Sequence, residues 1–358
     1  MSTPTCYQAL QAMCAKYCQA LFCAAMAASI LGAAASPVMA QSPGPGPSRQ
    51  LAPGILTVIP PKPEEEEMVS GPTLLAEIPA EISELDYTPN FTPKSATLLE
   101  QAKAATLRRT IWNLEFAFKP MRMIIIDVPQ TSGKAQKKLI WYMVYRVKNN
   151  GGHLSAKEAV ETVTDSIEHK RFEIEKTNEV EVFGRKGTSL RFFPQFVLAS
   201  REYEKSYLDR VIPAAMAPIK AREFPGDKQV ALYDSLAISE VNIPLSDAMN
   251  DRSVWGVVTW EDVDPRIDYF SVYVQGLTNA YKYEDPVGAF TKGSAPGTGR
   301  KFTTKTLQLN FWRPGDAVAQ NEDEIRYGVR LDSNEAEQQR IFALYGVSGR
   351  LDHLWLYQ

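Results

Sequence analysis

Period-2 alternation of apolar and polar residues runs through this chain from residue 111 almost to its end, and it limits the possible folds more than any other feature. Successive side chains of a strand point to opposite faces, so alternation marks a sheet with one face turned inward. Leu114, Phe116 and Phe118 alternate with Asn113, Glu115 and Ala117. Phe270, Val272 and Val274 alternate with Ser271, Tyr273 and Gln275, and Leu307, Leu309 and Phe311 with Thr306, Gln308 and Asn310. Ile325, Tyr327, Val329 and Leu331 repeat the pattern. Leu190, Phe192, Phe196 and Leu198 share a face with Pro194, which lacks a ladder donor and so predicts an edge or a bulge. The runs Met121 to Val128 and Leu139 to Val147 are apolar on both faces, as in central strands covered on both sides. Between Leu236-Ile238 and Val241-Ile243 the apolar phase slips by one, which predicts a β-bulge at Ser239-Glu240.

Helical signals are few and short. Ser155-Ala156-Lys157-Glu158 has the form of a capping box, followed by Ala156, Val160, Val163 and Ile167 at helical spacing. Asp209 is placed to cap a segment reaching Lys220, shortened or kinked by Pro213 and Pro218. Glu335 to Tyr345 follows the cap residues Ser333 and Asn334 and stops at Gly346. Many strands with few helices predict a mainly β fold of one or two immunoglobulin-like β-sandwich domains, with short peripheral helices and a disordered arm in front. The expected boundaries are 1–40, 41–98, 99–228 and 229–358, the last placed where Pro225-Gly226-Asp227 punctuates the chain.

The first two zones come from composition. All four cysteines, Cys6, Cys14, Cys18 and Cys23, lie in the first 40 residues, whose only charge is Lys16. An apolar run from Ala20 to Ala35, then Pro37 and Val38-Met39-Ala40, predicts a cleaved export signal with Gln41 as the new N-terminus. The run is shorter and more alanine-rich than the roughly 20 strongly apolar residues of a membrane span. Cleavage leaves no cysteine, which excludes thiol catalysis and cysteine-ligated metals from the mature chain. The next zone holds 11 of the 24 prolines, with three positive and eight negative residues between 41 and 96. Proline, glycine and the like charges of Glu64 to Glu67 oppose compaction, so this zone is expected to be a solvated spacer. The apolar cluster Ile55 to Ile59 is the part suited to dock on the body. From residue 97 onward 35 positive residues face 34 negative ones, which offers no electrostatic footprint for nucleic acid.

Four blocks carry a resemblance: Trp255 to Pro265, Phe270 to Tyr281, Leu309 to Asp316, and Arg350 to Tyr357, with Trp141 to Gly152 upstream. Together they resemble a family of signal-bearing proteins of planctomycete-type bacteria to which no activity is assigned. The resemblance covers most of residues 107 to 358 and implies export, with no catalytic residue to carry over.

Residue chemistry narrows the remaining functions. The three histidines, His153, His169 and His353, lack metal-ligand spacing, and no Gly-x-Ser-x-Gly elbow is present. Glu261, Asp262, Asp264 and Asp268 place four acids in eight residues beside Arg266. Three readings follow: a Ca²⁺ loop, which needs about six to eight oxygen ligands; paired acid and base carboxylates; or a structural loop closed by Arg–carboxylate bonds. No other cofactor is indicated. Lys292 to Lys301 is glycine-rich but departs from the phosphate-loop pattern, and reads as a hairpin connection. Of six tryptophans, Trp312 points away from Leu309 and Phe311 in a regular strand and is the best exposed ring, followed by Tyr281 and Tyr283. These are the candidate ligand-binding residues, since aromatic rings can stack on sugars. The expectation is thus an exported protein, periplasmic or extracellular, with a structural or protein-interaction role in the cell envelope. Its partner would be an envelope protein or a glycan, with no nucleic acid and no transmembrane segment after cleavage. A carbohydrate-binding sandwich and a carboxylate-dependent hydrolase are the alternatives.

Overall fold

A computed structural model describes residues 56–73, 105–130, 133–164, 167–182, 185–227, 229–287, 298–314 and 325–358. The expected signal, most of the expected arm and most of the glycine-rich connection lie outside these residues. In chain order the main elements begin with β1 (Thr57–Ile59), β2 (Glu115–Phe118), β3 (Arg122–Pro129), β4 (Ala135–Lys148), β5 (His153–Thr164) and β6 (Ile167–Thr177). Next come β7 (Gln195–Ser200), β8 (Lys205–Leu208), α1 (Pro213–Glu223), β9 (Leu232–Tyr233), β10 (Val254–Glu261) and β11 (Tyr269–Gln275). The chain finishes with β12 (Tyr281–Glu284), β13 (Lys301–Trp312), β14 (Arg326–Tyr327), α2 (Glu335–Tyr345) and β15 (His353–Tyr357).

Two sheets carry the fold. The first has the order β1-β2-β4-β10-β9, with β3 beside the free stretch of β4. The second has the order β8-β7-β11-β13-β12, with β14 and β15 also on β13. Their apolar faces meet in one core. Phe116, Phe118, Trp141, Met143 and Tyr145 from the first sheet pack on Phe196, Leu198, Phe270, Val272, Leu309 and Phe311 from the second. Rings interlock across the layer: Trp141 to Phe270 at 5.4 Å, Phe118 to Phe311 at 5.9 Å and Tyr145 to Phe196 at 4.9 Å. Removing one such ring by mutation to alanine typically costs about 3–5 kcal/mol.

A helix covers part of each outer face. Ala215 and Ile219 of α1, with the preceding Ile212, pack on Ile140, Tyr142, Val144 and Val257, which is why Leu139 to Val147 is apolar on both sides. Ile341, Phe342 and Tyr345 of α2 pack on Tyr269 and Val329 against the second sheet. The predicted helix Glu335 to Tyr345 forms as read: the Asn334 side chain accepts from the Ala336 and Glu337 N–H groups, and Gly346 closes it at φ 69°.

Several local expectations are corrected. Residues 155 to 164 form strand, not helix: β5 pairs with β6 from His153↔Thr177 to Thr164↔Ile167. The i, i+4 spacing of Ala156 and Val160 fits period 2 as well as 3.6, and the β-branched run Val160, Thr162, Val163 and Thr164 favours strand. Ser155, read as a helix cap, instead shares a hydrogen bond with the Thr110 hydroxyl at 3.2 Å. Helix α1 begins at Pro213 rather than after Asp209, because proline is tolerated at a first helical position whose N–H has no partner anyway. The phase slip near Ser239 is a 3₁₀ turn, Ala237–Glu240, not a bulge. Among the described residues strand β3 pairs with β4 alone, as an edge strand, and Ile125 is half exposed.

The boundary expected at 228/229 is crossed by both sheets. Strand β4 pairs with β10, and β7 with β11, so the ladders join residues from the two expected halves into one sandwich. Part of the expected spacer also belongs to this body. Strand β1 pairs with β2, and Glu65–Met68 forms a 3₁₀ turn that buries Glu67 and Met68. The Glu67 carboxylate, 1% exposed, meets the Lys305 ammonium, 3% exposed, and accepts the Tyr357 hydroxyl at 2.6 Å. Arg109 donates to the Glu67 carbonyl at 3.0 Å. Burial of one glutamate of the run thus overrides the mutual repulsion that predicts a solvated spacer.

Glu67→Ala should strand a buried ammonium and lower unfolding free energy by about 3–5 kcal/mol, measured by urea denaturation. The double change Glu67→Leu with Lys305→Met should recover most of that loss, since a buried ion pair adds little beyond a packed apolar pair.

Candidate functional site

The acid-rich loop leaves β10 at one end of the sandwich and returns into β11. Val263 and Ile267 anchor it in the core, and Asp262 turns the chain at φ 56°, a left-handed conformation that aspartate adopts more readily than most residues. The anchors fix where the acids point. Glu261, nearly buried, is bound by the Arg210 guanidinium and by Lys138 Nζ at 3.2 Å. Asp262 is exposed and reaches the same Lys138 at 2.9 Å. Asp264 takes a bidentate grip from Arg266 at 3.0 and 2.7 Å and a third contact from Lys205 at 2.5 Å. Asp268 faces Arg313 at 3.6 Å.

Each acid therefore meets a protein cation, and the four do not converge. Among the described residues no group of three or more His, Cys, Asp or Glu side chains could hold a metal ion. The arrangement is that of the third sequence reading, with Arg–carboxylate bonds closing a loop. Arg266 is the one partner visible in the sequence. Lys138, Lys205, Arg210 and Arg313 come from other strands and turns, and no local pattern marks them.

Electrostatics follow the pairing. The bonds from Arg266 and Lys205 hold the Asp264 carboxyl well below the usual carboxylate range, and the bond to Asp262 raises Lys138. Neither shift poises a group for proton transfer near neutral pH. Lys138, Arg210, Glu261 and Asp262 do border an open cleft of about 590 Å³, whose other walls include Val128, Val211 and Ile212. Its charged groups are already bound to one another.

The aromatic candidates lie elsewhere. Trp312 ends β13, half buried against the α2 cluster, with the Arg326 guanidinium 4.9 Å and that of Arg330 5.9 Å from its ring centre. Tyr281 and Tyr283 lie on β12 beside Phe302, which is 61% exposed. The two tyrosine rings are inclined to Phe302 by 61° and 51°. Arg109 lies over Tyr281 at 3.7 Å and Arg300 over Tyr283 at 4.2 Å. These are cation–π contacts, and each occupies one face of its ring.

The histidines are equally separate. His353 opens β15 and its Nδ1 lies 3.0 Å from the Tyr327 hydroxyl. His169 falls in β6, where a helix end was expected. His153 is fully buried at the root of β5, and desolvation lowers it to about 4. The chain matches no family model, and comparison with curated proteins and solved structures finds no significant likeness. Among the described residues no helix is long and apolar enough to cross a membrane.

Acid should unfold the protein in two stages. His153 is depressed in the fold, so its contribution is fully present above about pH 6.5 and is lost toward pH 4, on the order of 3 kcal/mol. Asp264 is also depressed, so its contribution is present above about pH 4 and is lost below it. In urea unfolding followed against pH, His153→Gln should flatten the first stage and Asp264→Asn the second.

Proposed function

We propose that this chain is exported and serves a structural or protein-interaction role in the cell envelope, with the β5–β6 ribbon as its contact element. The ribbon carries the reading. Its strands of 12 and 11 residues pair with each other and with no third strand among the described residues, apart from the bridge Ile111↔Leu154 at its root. At about 3.3 Å per residue the paired length is roughly 36 Å. A sheet of two strands cannot bury both faces, and its open edges present backbone donors and acceptors suited to pairing with an extended segment of a partner.

Side chains favour the same use. Phe172 and Ile174 are 41% and 44% exposed on one face, where the Arg108 guanidinium lies 3.8 Å from the Phe172 ring centre, while Lys157 and Glu175 pair at 3.2 Å on the other. A protein partner that adds a strand and covers the apolar face fits this asymmetry. Export rests on residues 1 to 40, where a short apolar run ends in small residues before Gln41. The family resemblance of the Trp255, Phe270, Leu309 and Arg350 blocks points the same way. The glycan alternative would need a coplanar row of open rings, whereas Tyr281, Tyr283 and Phe302 are mutually inclined and two of them carry guanidinium groups. The hydrolase alternative would need two free carboxylates facing one cleft, and Glu261 and Asp262 both bind Lys138.

Two measurements test the proposal. N-terminal sequencing of protein recovered from the envelope fraction should begin at Gln41, and retention of Met1 would overturn export by a cleaved signal. In a pull-down from envelope extract, the mature protein should retain a partner that the Phe172→Ser/Ile174→Ser variant loses. Equal recovery by both proteins, or none above bare resin, would remove the ribbon from the account.

A further inference from the structure

The register of the β5–β6 ribbon fixes which main-chain groups line its outer edges. At the root, the Leu154 N–H and carbonyl exchange hydrogen bonds with Ile111 at 2.9 and 2.8 Å, so the Leu154 backbone faces away from β6. Main-chain groups alternate sides along an antiparallel strand, and directly opposed residues share the same state. Leu154 is opposite Lys176, so Glu168, Lys170, Phe172, Ile174 and Lys176 also turn their N–H and carbonyl groups outward, along the far edge of β6. That edge pairs with no strand among the described residues. The Arg108 guanidinium covers the Phe172 ring at 3.8 Å, while the Arg108 backbone pairs with Val69 and so does not take the β6 edge. An isolated pair of strands is marginal in water, and a further strand stabilises it.

The sequence of this edge is complementary to itself. Two antiparallel copies related by a twofold axis through Phe172 set Arg171 opposite the partner's Glu173, His169 opposite the partner's Glu175, and Glu168 opposite the partner's Lys176. Lys170 meets the partner's Ile174, and the two Phe172 residues face each other. Symmetry forms each charged pair twice, and no like charges are opposed. Neighbouring centres lose this match. About Lys170 or Arg171 a cation faces its own copy, about Glu173 a glutamate does, and about Ile174 the opposed residues include Glu173 and Glu175. Opposite charges directly across a sheet are favourable and like charges unfavourable, so the charge pattern selects one register. Because the Phe172 main chain faces outward, the selected centre is a hydrogen-bonded pair.

We infer that β6 is a self-association edge, through which two copies of this chain join their ribbons antiparallel about Phe172 into one four-stranded sheet, β5-β6-β6-β5. The inference rests on the reading of the ribbon as the contact element, and it names a second copy as the occupant of one edge. Phe172 and Ile174 of both copies then share one face, which widens the surface offered to a further partner.

Sedimentation equilibrium of the chain from Gln41 onward should show a monomer–dimer equilibrium. Lys176→Glu, which opposes like charges at two symmetric positions, should raise the dimer Kd roughly tenfold. Glu168→Lys should do the same, and the two changes together should restore the dimer. Residues 168 and 176 lie opposite Thr162 and Leu154 within the ribbon, so the reversals oppose no charge there. The chain from Gln41 onward has no cysteine, which permits a second measurement. Phe172→Cys should join two copies by a disulfide under mild oxidation, because the Cα atoms of such a pair lie about 5.5 Å apart. Ile174→Cys should not, because it is displaced from its own copy by roughly 13 Å along the strands. A monomer at every concentration would overturn the self-pairing, as would a dimer whose Kd the single reversals leave unchanged or the double reversal does not restore. A monomer that still captures an envelope partner through Phe172 and Ile174 overturns this inference alone. A dimer that responds to the reversals as expected but captures no partner overturns the envelope-partner reading alone.

Discussion

The aromatic layer between the two sheets is the contact on which the other features depend. Trp141, Phe270, Phe311 and Phe118 form a chain of ring contacts at 5.4 to 5.9 Å that runs from the first sheet, through two neighbouring strands of the second, and back to the first. Interiors are packed to crystal density, so interdigitated rings fix the separation and the slide of the sheets together. Gly256 shows how tightly this is set: its cross-strand partner Tyr145 lies over it so closely that any Cβ would meet the ring at 2.3 Å. With the layer fixed, the ends of β10 and β13 stand where the acid-rich loop can be anchored by Val263 and Ile267 and faced by Arg313.

The outer faces are covered in two different ways. Under α1 the contact is mainly apolar, as the doubly apolar stretch of β4 requires. Under α2 the second sheet presents the polar partners of its alternation, and they are buried as well. Gln308 Nε2 donates to the Asn310 side-chain Oδ1 at 2.8 Å and the Tyr345 backbone carbonyl at 2.9 Å, and Asn310 donates to the Leu351 carbonyl at 2.7 Å. Buried amides with their bonds made are tolerated and fix one arrangement of helix and terminal strand. The alternation that looked like an inside and an outside is here a division between an apolar interior and a hydrogen-bonded one.

Much of the fold was legible because strands and caps are written locally. The alternations at Leu114, Phe270 and Leu307 lie in strands that face the core, and Asn334 and Gly346 bound α2 as read. What failed depended on distant partners. Residues 155 to 164 carry a helical spacing and a capping box, yet the β6 ladder decides them. Glu67 looked solvated because its partners Lys305 and Tyr357 lie more than 230 positions away. Of the candidate site, the sequence displayed all four acids but only one of their cations, and it ranked Tyr281 and Tyr283 without the guanidinium groups that cover them.

The sequence by itself determined the class of fold, the helix α2 and the identity of a charged loop, because period, capping and composition act over a few residues. Only the tertiary structure decided that one sandwich uses both halves of the chain, that the acidic run sends Glu67 into it, and that the loop acids are neutralised rather than free. It also buried Arg313 with two donor nitrogens that have no acceptor among the described residues. Charge partners and burial are set by which strands become neighbours, and that neighbourhood is fixed by long-range ring packing that no local window contains.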